Sequence, residues 1–177
     1  MDWHRDVDRV SILKVVRKKV HCRRRQLDLQ SVMPRPTSSA SSGDAILDTL
    51  RDEARLASKR AYAPYSRFAV GAAVLMEENQ VYSGCNVENA SYGLSNCAER
   101  TAIFRAVSEG SRTLRCVAIY TPTGHATAPC GACRQVIREF GQNVRILSYC
   151  DSEEVLDTTI GKLLPHAFGP EALDSPT

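Results

Sequence analysis

The sequence predicts an α/β sandwich, with helices covering a central sheet. Three observations predict it. Five short apolar runs alternate with helix-like stretches between residues 44 and 163, an interleaving that buries one helix stripe at a time against a shared sheet. Breakers at Pro64, Gly110 and Gly141 separate those stretches. And 177 residues at 43% hydrophobic content fill one core but not two ordinary domains.

The elements follow in order. Asp44 after Gly43 is the expected N-cap of the first helix, whose apolar face is Ile46, Leu47, Leu50, Ala54, Ala57 and Ala61. Residues 68–76 read as a buried strand, "EENQ" as a turn, and 81–86 as its hairpin partner. After the loop "VENASYGLSN", a second helix runs over 97–109 and stops at Gly110. Residues 114–121 form the next strand. "TGHATAP" is a loop, 130–140 a helix, 144–149 a strand, 155–158 a last strand, and "IGKLLP" a short closing helix.

Residues 1–43 stand apart as a basic, disordered extension, ending in the Pro/Ser linker "MPRPTSSASSG". Residues 1–36 hold ten Lys or Arg against four Asp, or +6, whereas the rest of the chain is −3. Any pull toward nucleic acid or anionic lipid therefore lives in the leader, and the domain at 44–177 is not expected to bind nucleic acid. "VSILKVVRKKVHCRRR" reads as a solvated extension, a targeting presequence or, through RKK and RRR, a nuclear address. Initiation at Met33 would omit it. No apolar run approaches the roughly 18 residues of a membrane span, so no membrane partner is expected. The seven cysteines are an odd number, which suits reduced thiols in the cytoplasm better than a disulfide framework.

Chemistry concentrates in "SNCAERTA" and "PCGACRQ". Cys130 and Cys133, three apart, lie on nearly one side of a helix. Alone they read as a redox pair or as half a structural zinc site. With Cys97 at another helix start, three thiolates suffice for one zinc, and none of His4, His21, His125 and His166 has the spacing of a fourth ligand. Cys85 is the remaining alternative for that position, although packing is the expected role of Cys85, Cys116 and Cys150. If the fourth position stays open, water fills it and Glu99, in the first turn, stands beside that water as a proton carrier. Glu99 also reads as an ordinary first-turn carboxylate facing the helix dipole. Arg100 is expected to donate to the sulfurs from behind, offsetting their negative charge, and Gln135 is expected near them too.

These motifs, with "AYAPYSRFAVGAAV", "GCNVENASYG" and "LLPHAFGPE", resemble in order the small zinc-dependent cytidine deaminases of pyrimidine salvage, over about residues 44–175. The resemblance implies a three-layer α/β/α sandwich with a five-stranded mixed sheet, assembled as a homotetramer with shared active sites. It implies one zinc per subunit on Cys97, Cys130 and Cys133, and Glu99 as proton shuttle. Asn86 and Glu88 would bond the ribose hydroxyls, Phe68 would pack on the pyrimidine, and the Ala98 amide would meet the ring carbonyl. Tyr65, Tyr92 and Phe168 would line or complete the site. The implied reaction is hydrolytic deamination of cytidine and deoxycytidine.

Overall fold

The computed structural model describes residues 42–169 and 172–173; the leader and its targeting readings lie outside the described residues. Five strands, β1 (Gly71–Met76), β2 (Val81–Cys85), β3 (Leu114–Tyr120), β4 (Arg145–Tyr149) and β5 (Val155–Thr159), form one sheet in the order β2-β1-β3-β4-β5. Only β3 and β4 are parallel, so the sheet is mixed. The parallel pair is joined by a helical crossover, as such pairs require.

Helix α1 (Ser42–Ser58) lies on one face; α2 (Ala98–Ser108), α3 (Gly131–Glu139) and α4 (Ile160–Leu163) lie on the other. The strand period of two sorts the core between them. Ala72, Val74, Met76, Val117 and Ile119 meet Ala102, Ile103 and Ile137 on the α2/α3 side. Ala73, Leu75, Cys116, Ala118 and Tyr120 meet Leu50 and Ala54 on the α1 side. The three layers are those expected. No helix among the described residues is long and apolar enough to cross a membrane.

Several boundaries differ from expectation for local reasons. Helix α1 starts at Ser42, leaving Asp44 in its first turn instead of at the cap, and it ends at Ser58, three residues short of Ala61. Strand β1 starts at Gly71: Arg67 takes a left-handed φ of 58°, and Phe68 is held in a loop by side chains, its amide donating to Ser66 Oγ and its carbonyl accepting from Asn86 Nδ2. A 3-10 turn at Tyr92–Leu94 interrupts the polar loop before α2. Of the three cysteines expected to pack, Cys116 is buried, whereas Cys85 and Cys150 are only half-buried at strand ends.

Two glycines set the distance between layers. A Cβ on Gly71 would sit 1.9 Å from the Ala54 carbonyl oxygen and 2.4 Å from the Ser58 amide of α1. One on Gly84 would sit 2.6 Å from the Ala102 amide of α2, one turn beyond Glu99. Both obstacles are backbone, so the helix must lift. Gly71→Ala is therefore expected to cost about 3 kcal/mol, overpacking at its upper range. Differential scanning calorimetry should show a thermal midpoint lower by about 10 °C; an unchanged midpoint would mean that α1 shifts freely.

Candidate active site

Cys97 and Cys130 occupy the N-cap positions of α2 and α3, with extended backbone (ψ 156° and 166°). Their carbonyls accept the first intrahelical amides, Thr101 N at 3.0 Å and Arg134 N at 2.9 Å. A Ser or Asp at such a place would turn its side chain onto its own helix. Neither thiol does so. They face each other instead, Sγ to Sγ at 3.8 Å, and Cys133, one turn into α3 and fully buried, completes a trio whose sulfurs all lie within 4.8 Å of one another.

Sulfurs at about 2.3 Å from a tetrahedral zinc are about 3.8 Å apart, so the observed spacing fits that ion. Among the described residues this is the one group of three or more Cys, His, Asp or Glu able to hold a metal. Cys85 is not part of it; its thiol donates to the Arg60 carbonyl at 3.3 Å. The donor set, three thiolates with no fourth side chain among the described residues, fits one zinc per subunit with an open position.

The charge pattern suits a metal that needs thiolates. Cys97 is held down to about 5 by the thiol of Cys133 donating to it and by the Arg100 guanidinium; burial opposes this. Cys133 is pushed up because its proton is shared toward Cys97 and because it is buried near Glu99. Burial also raises Glu99, which is only 4% exposed, and the Cys97 thiolate adds to that rise. Arg100 Nη2 lies 3.4 Å from Cys97 Sγ and 3.4 Å from the Ser95 carbonyl, as expected for a cation behind the sulfurs. Its Nε is buried without a hydrogen-bond partner among the described residues.

Gln135 is elsewhere. Two residues past Cys133 it points well away from the sulfurs on the helix wheel, and its Nε2 donates 2.7 Å to the Phe168 carbonyl, tying the C-terminal segment to α3.

Glu99 and Cys97 lie in a cavity of about 640 Å³, within the range of small-molecule sites. Ala98 sits in its wall at the first turn of α2, where helix amides lack an intrahelical acceptor. Phe68, Asn86, Glu88 and Tyr92 also border it. Tyr65 and Tyr92 meet edge to face at 5.9 Å, and Tyr92 is 75% exposed. The Phe168 ring, 62% exposed, does not line the cavity of its own chain.

Asn86 and Glu88 prove to be the braces of the 62–70 loop. Asn86 Oδ1 accepts Val70 N at 2.8 Å while its Nδ2 donates to Phe68 O at 2.8 Å. Glu88 Oε2 accepts Tyr65 N at 2.9 Å and Ser66 N at 3.2 Å, and Oε1 accepts the Ser66 hydroxyl. That hydroxyl holds the Glu88 carboxyl below the usual range; desolvation opposes it, and the two amides add to the lowering. Ser66 was not singled out from sequence: its partner is 22 residues away, and no local spacing marks the pair. Thr127 and Ile119 also lie in the cavity wall and carry no local spacing that marks them.

The comparisons with known proteins agree with this geometry. Residues 46–149 match a family model described as the cytidine and deoxycytidylate deaminase zinc-binding region. A cytidine deaminase of Sporosarcina psychrophila is 45% identical over 128 residues, 72% of this chain and 94% of the relative. One from Halalkalibacterium halodurans is 46% identical over 123 residues, 69% and 93% of the two chains. The crystal structure of cytidine deaminase from Burkholderia pseudomallei, 47% identical, superposes with a TM-score of 0.66 over 68% of this chain and 98% of that one. That from Mycobacterium tuberculosis, 44% identical, gives 0.62 over 70% and 97%. With three thiols spaced for zinc beside a buried carboxyl, and relatives covered almost end to end, the chain belongs to the zinc-dependent cytidine and deoxycytidylate deaminase family.

Proposed function

We propose that the protein hydrolyses cytidine and deoxycytidine to uridine and deoxyuridine with release of ammonia, and that residues 44–177 form the catalytic domain. The observation that carries this reading is the trio of thiols spaced for zinc, two of which, Cys97 and Cys130, line one nucleoside-sized cavity together with the buried Glu99 carboxyl.

Cys97, Cys130 and Cys133 hold the zinc, which supplies the Lewis acidity that makes water nucleophilic near neutral pH. Phe68 packs on the pyrimidine, and the Ala98 amide donates to the ring carbonyl. Glu99 takes a proton from the attacking water and delivers it to ring nitrogen 3 as the water oxygen bonds to carbon 4. It then carries the second water proton to the exocyclic amine, which leaves as ammonia while the carbon 4 carbonyl forms. A carboxyl whose proton affinity is raised by burial suits a group that both accepts and returns a proton.

On the sugar side, Glu88 and Asn86 keep unused bonding capacity. A carboxylate has about four acceptor sites, of which Glu88 uses three, and Asn86 Nδ2 has spent one of its two hydrogens. The spare positions suit two ribose hydroxyls. A polynucleotide substrate is disfavoured because the −3 portion beyond residue 36 offers little to track phosphates. Tyr92 and Phe168, exposed within one chain, would be covered in a homotetramer whose subunits complete each other's sites; sedimentation should give four times 19.5 kDa. Three reduced thiols suit the cytoplasm, which a fluorescent fusion of the full chain checks.

The deciding experiment quantifies zinc in the purified chain and follows the ultraviolet change with cytidine, deoxycytidine and cytosine in turn. Both nucleosides should be converted, and free cytosine far more slowly, because it leaves the sugar contacts empty. A zinc-loaded protein inert toward every nucleoside would sink the reading.

A further inference from the structure

The Ser66 hydroxyl sits between two parts of the cavity wall. It accepts the Phe68 amide at 3.0 Å and donates to Glu88 Oε1. The first contact decides the second: with one lone pair occupied by the Phe68 N–H, the hydroxyl proton is turned toward the carboxylate. The left-handed backbone at Arg67, between the two residues, brings the Phe68 amide back over the Ser66 side chain.

The two carboxylate oxygens are not equivalent. Oε2 already accepts two amides, from Tyr65 and Ser66, and has no capacity left. Among the described residues Oε1 accepts only the Ser66 hydroxyl and therefore keeps one lone pair. Backbone amides thus anchor one oxygen, and a single side chain aims the one that remains available to a ligand.

We propose that Ser66 is a positioning residue for substrate binding, its hydroxyl orienting Glu88 Oε1 toward the sugar hydroxyl. This rests on the reading of the cavity as a nucleoside site. The role is one of orientation, since Ser66 touches the carboxylate and not the reacting atoms. It acts on binding in ground and transition state alike, so it should appear in KM and leave kcat in place.

The test uses the zinc-loaded full chain with cytidine. Ser66→Ala should raise KM about tenfold, the loss of one hydrogen bond to a charged group, with kcat within about twofold. Ser66→Thr, which keeps the hydroxyl, should restore KM to near wild type, whereas Ser66→Cys, of similar size but a weak donor, should not. In a Glu88→Ala background the effect of Ser66→Ala should shrink below about threefold, because the partner it orients is gone. A wild-type KM in either Ser66→Ala or Ser66→Cys overturns the proposal, as does an undiminished effect in the Glu88→Ala background or a fall in kcat alone. If wild type itself leaves cytidine untouched, the nucleoside reading fails and takes the proposal with it. Turnover by wild type with an unaltered KM in Ser66→Ala fails the proposal alone.

Discussion

Glu99→Gln is expected to retain one zinc per subunit and lose turnover by about 10³-fold, the middle of the range for removing a general acid–base. That loss corresponds to about 4 kcal/mol of transition-state stabilisation. The amide matches the carboxyl in shape and cannot carry a proton. Since Glu99 is not one of the three thiol ligands, zinc should stay. Cytidine binding should persist as well, because the proposed sugar and base contacts lie at Phe68, Asn86, Glu88 and the Ala98 amide, none of which the substitution removes. Metal analysis beside single-turnover kinetics separates these effects, and activity within tenfold of wild type would remove Glu99 from the proton path.

Cys130→Ala should abolish both zinc and activity without unfolding the protein. Of the three thiols, Cys133 is fully buried and its removal would leave a hole, but Cys130 is exposed, so its loss isolates ligation from packing. Zinc affinity should fall by more than the roughly 100-fold seen when groups behind ligands are changed. Added zinc should raise the thermal midpoint of wild type, by about 4 kcal/mol of stabilisation at a thousandfold excess over Kd. The variant should show no such rise. Stoichiometric zinc in Cys130→Ala would mean that another side chain completes the site.

The architecture was legible because each element carries its own periodicity and stop signal: the unbroken apolar run of β1, the Gly110 turn at φ 102°, and the glycine after α3. The thiol trio was legible for a different reason. Its ligands fall at helix starts that short motifs mark. What stayed hidden depends on partners distant in the chain. Phe68 reads as strand from its neighbours and is drawn into a loop by Asn86, 18 residues away. Gln135, expected near the sulfurs from its place beside Cys133 in sequence, is claimed by the Phe168 carbonyl, 33 residues on. Asn86 and Glu88 are sugar-side candidates only through the family resemblance, and their bracing of the opposite loop is hidden altogether, since nothing in "NVEN" records which amides point at it.

The uncapped thiols at the heads of α2 and α3 carry a final implication. Each helix gives up the local fastening that a serine or aspartate would provide, and the two beginnings, 33 residues apart in sequence, would be pinned to one shared ion instead. A bound cation would thereby double as a splice. Whatever loosens the start of one helix tugs on the other, and the acid at residue 99, riding on the first of them, inherits its alignment from a segment to which it has no covalent proximity.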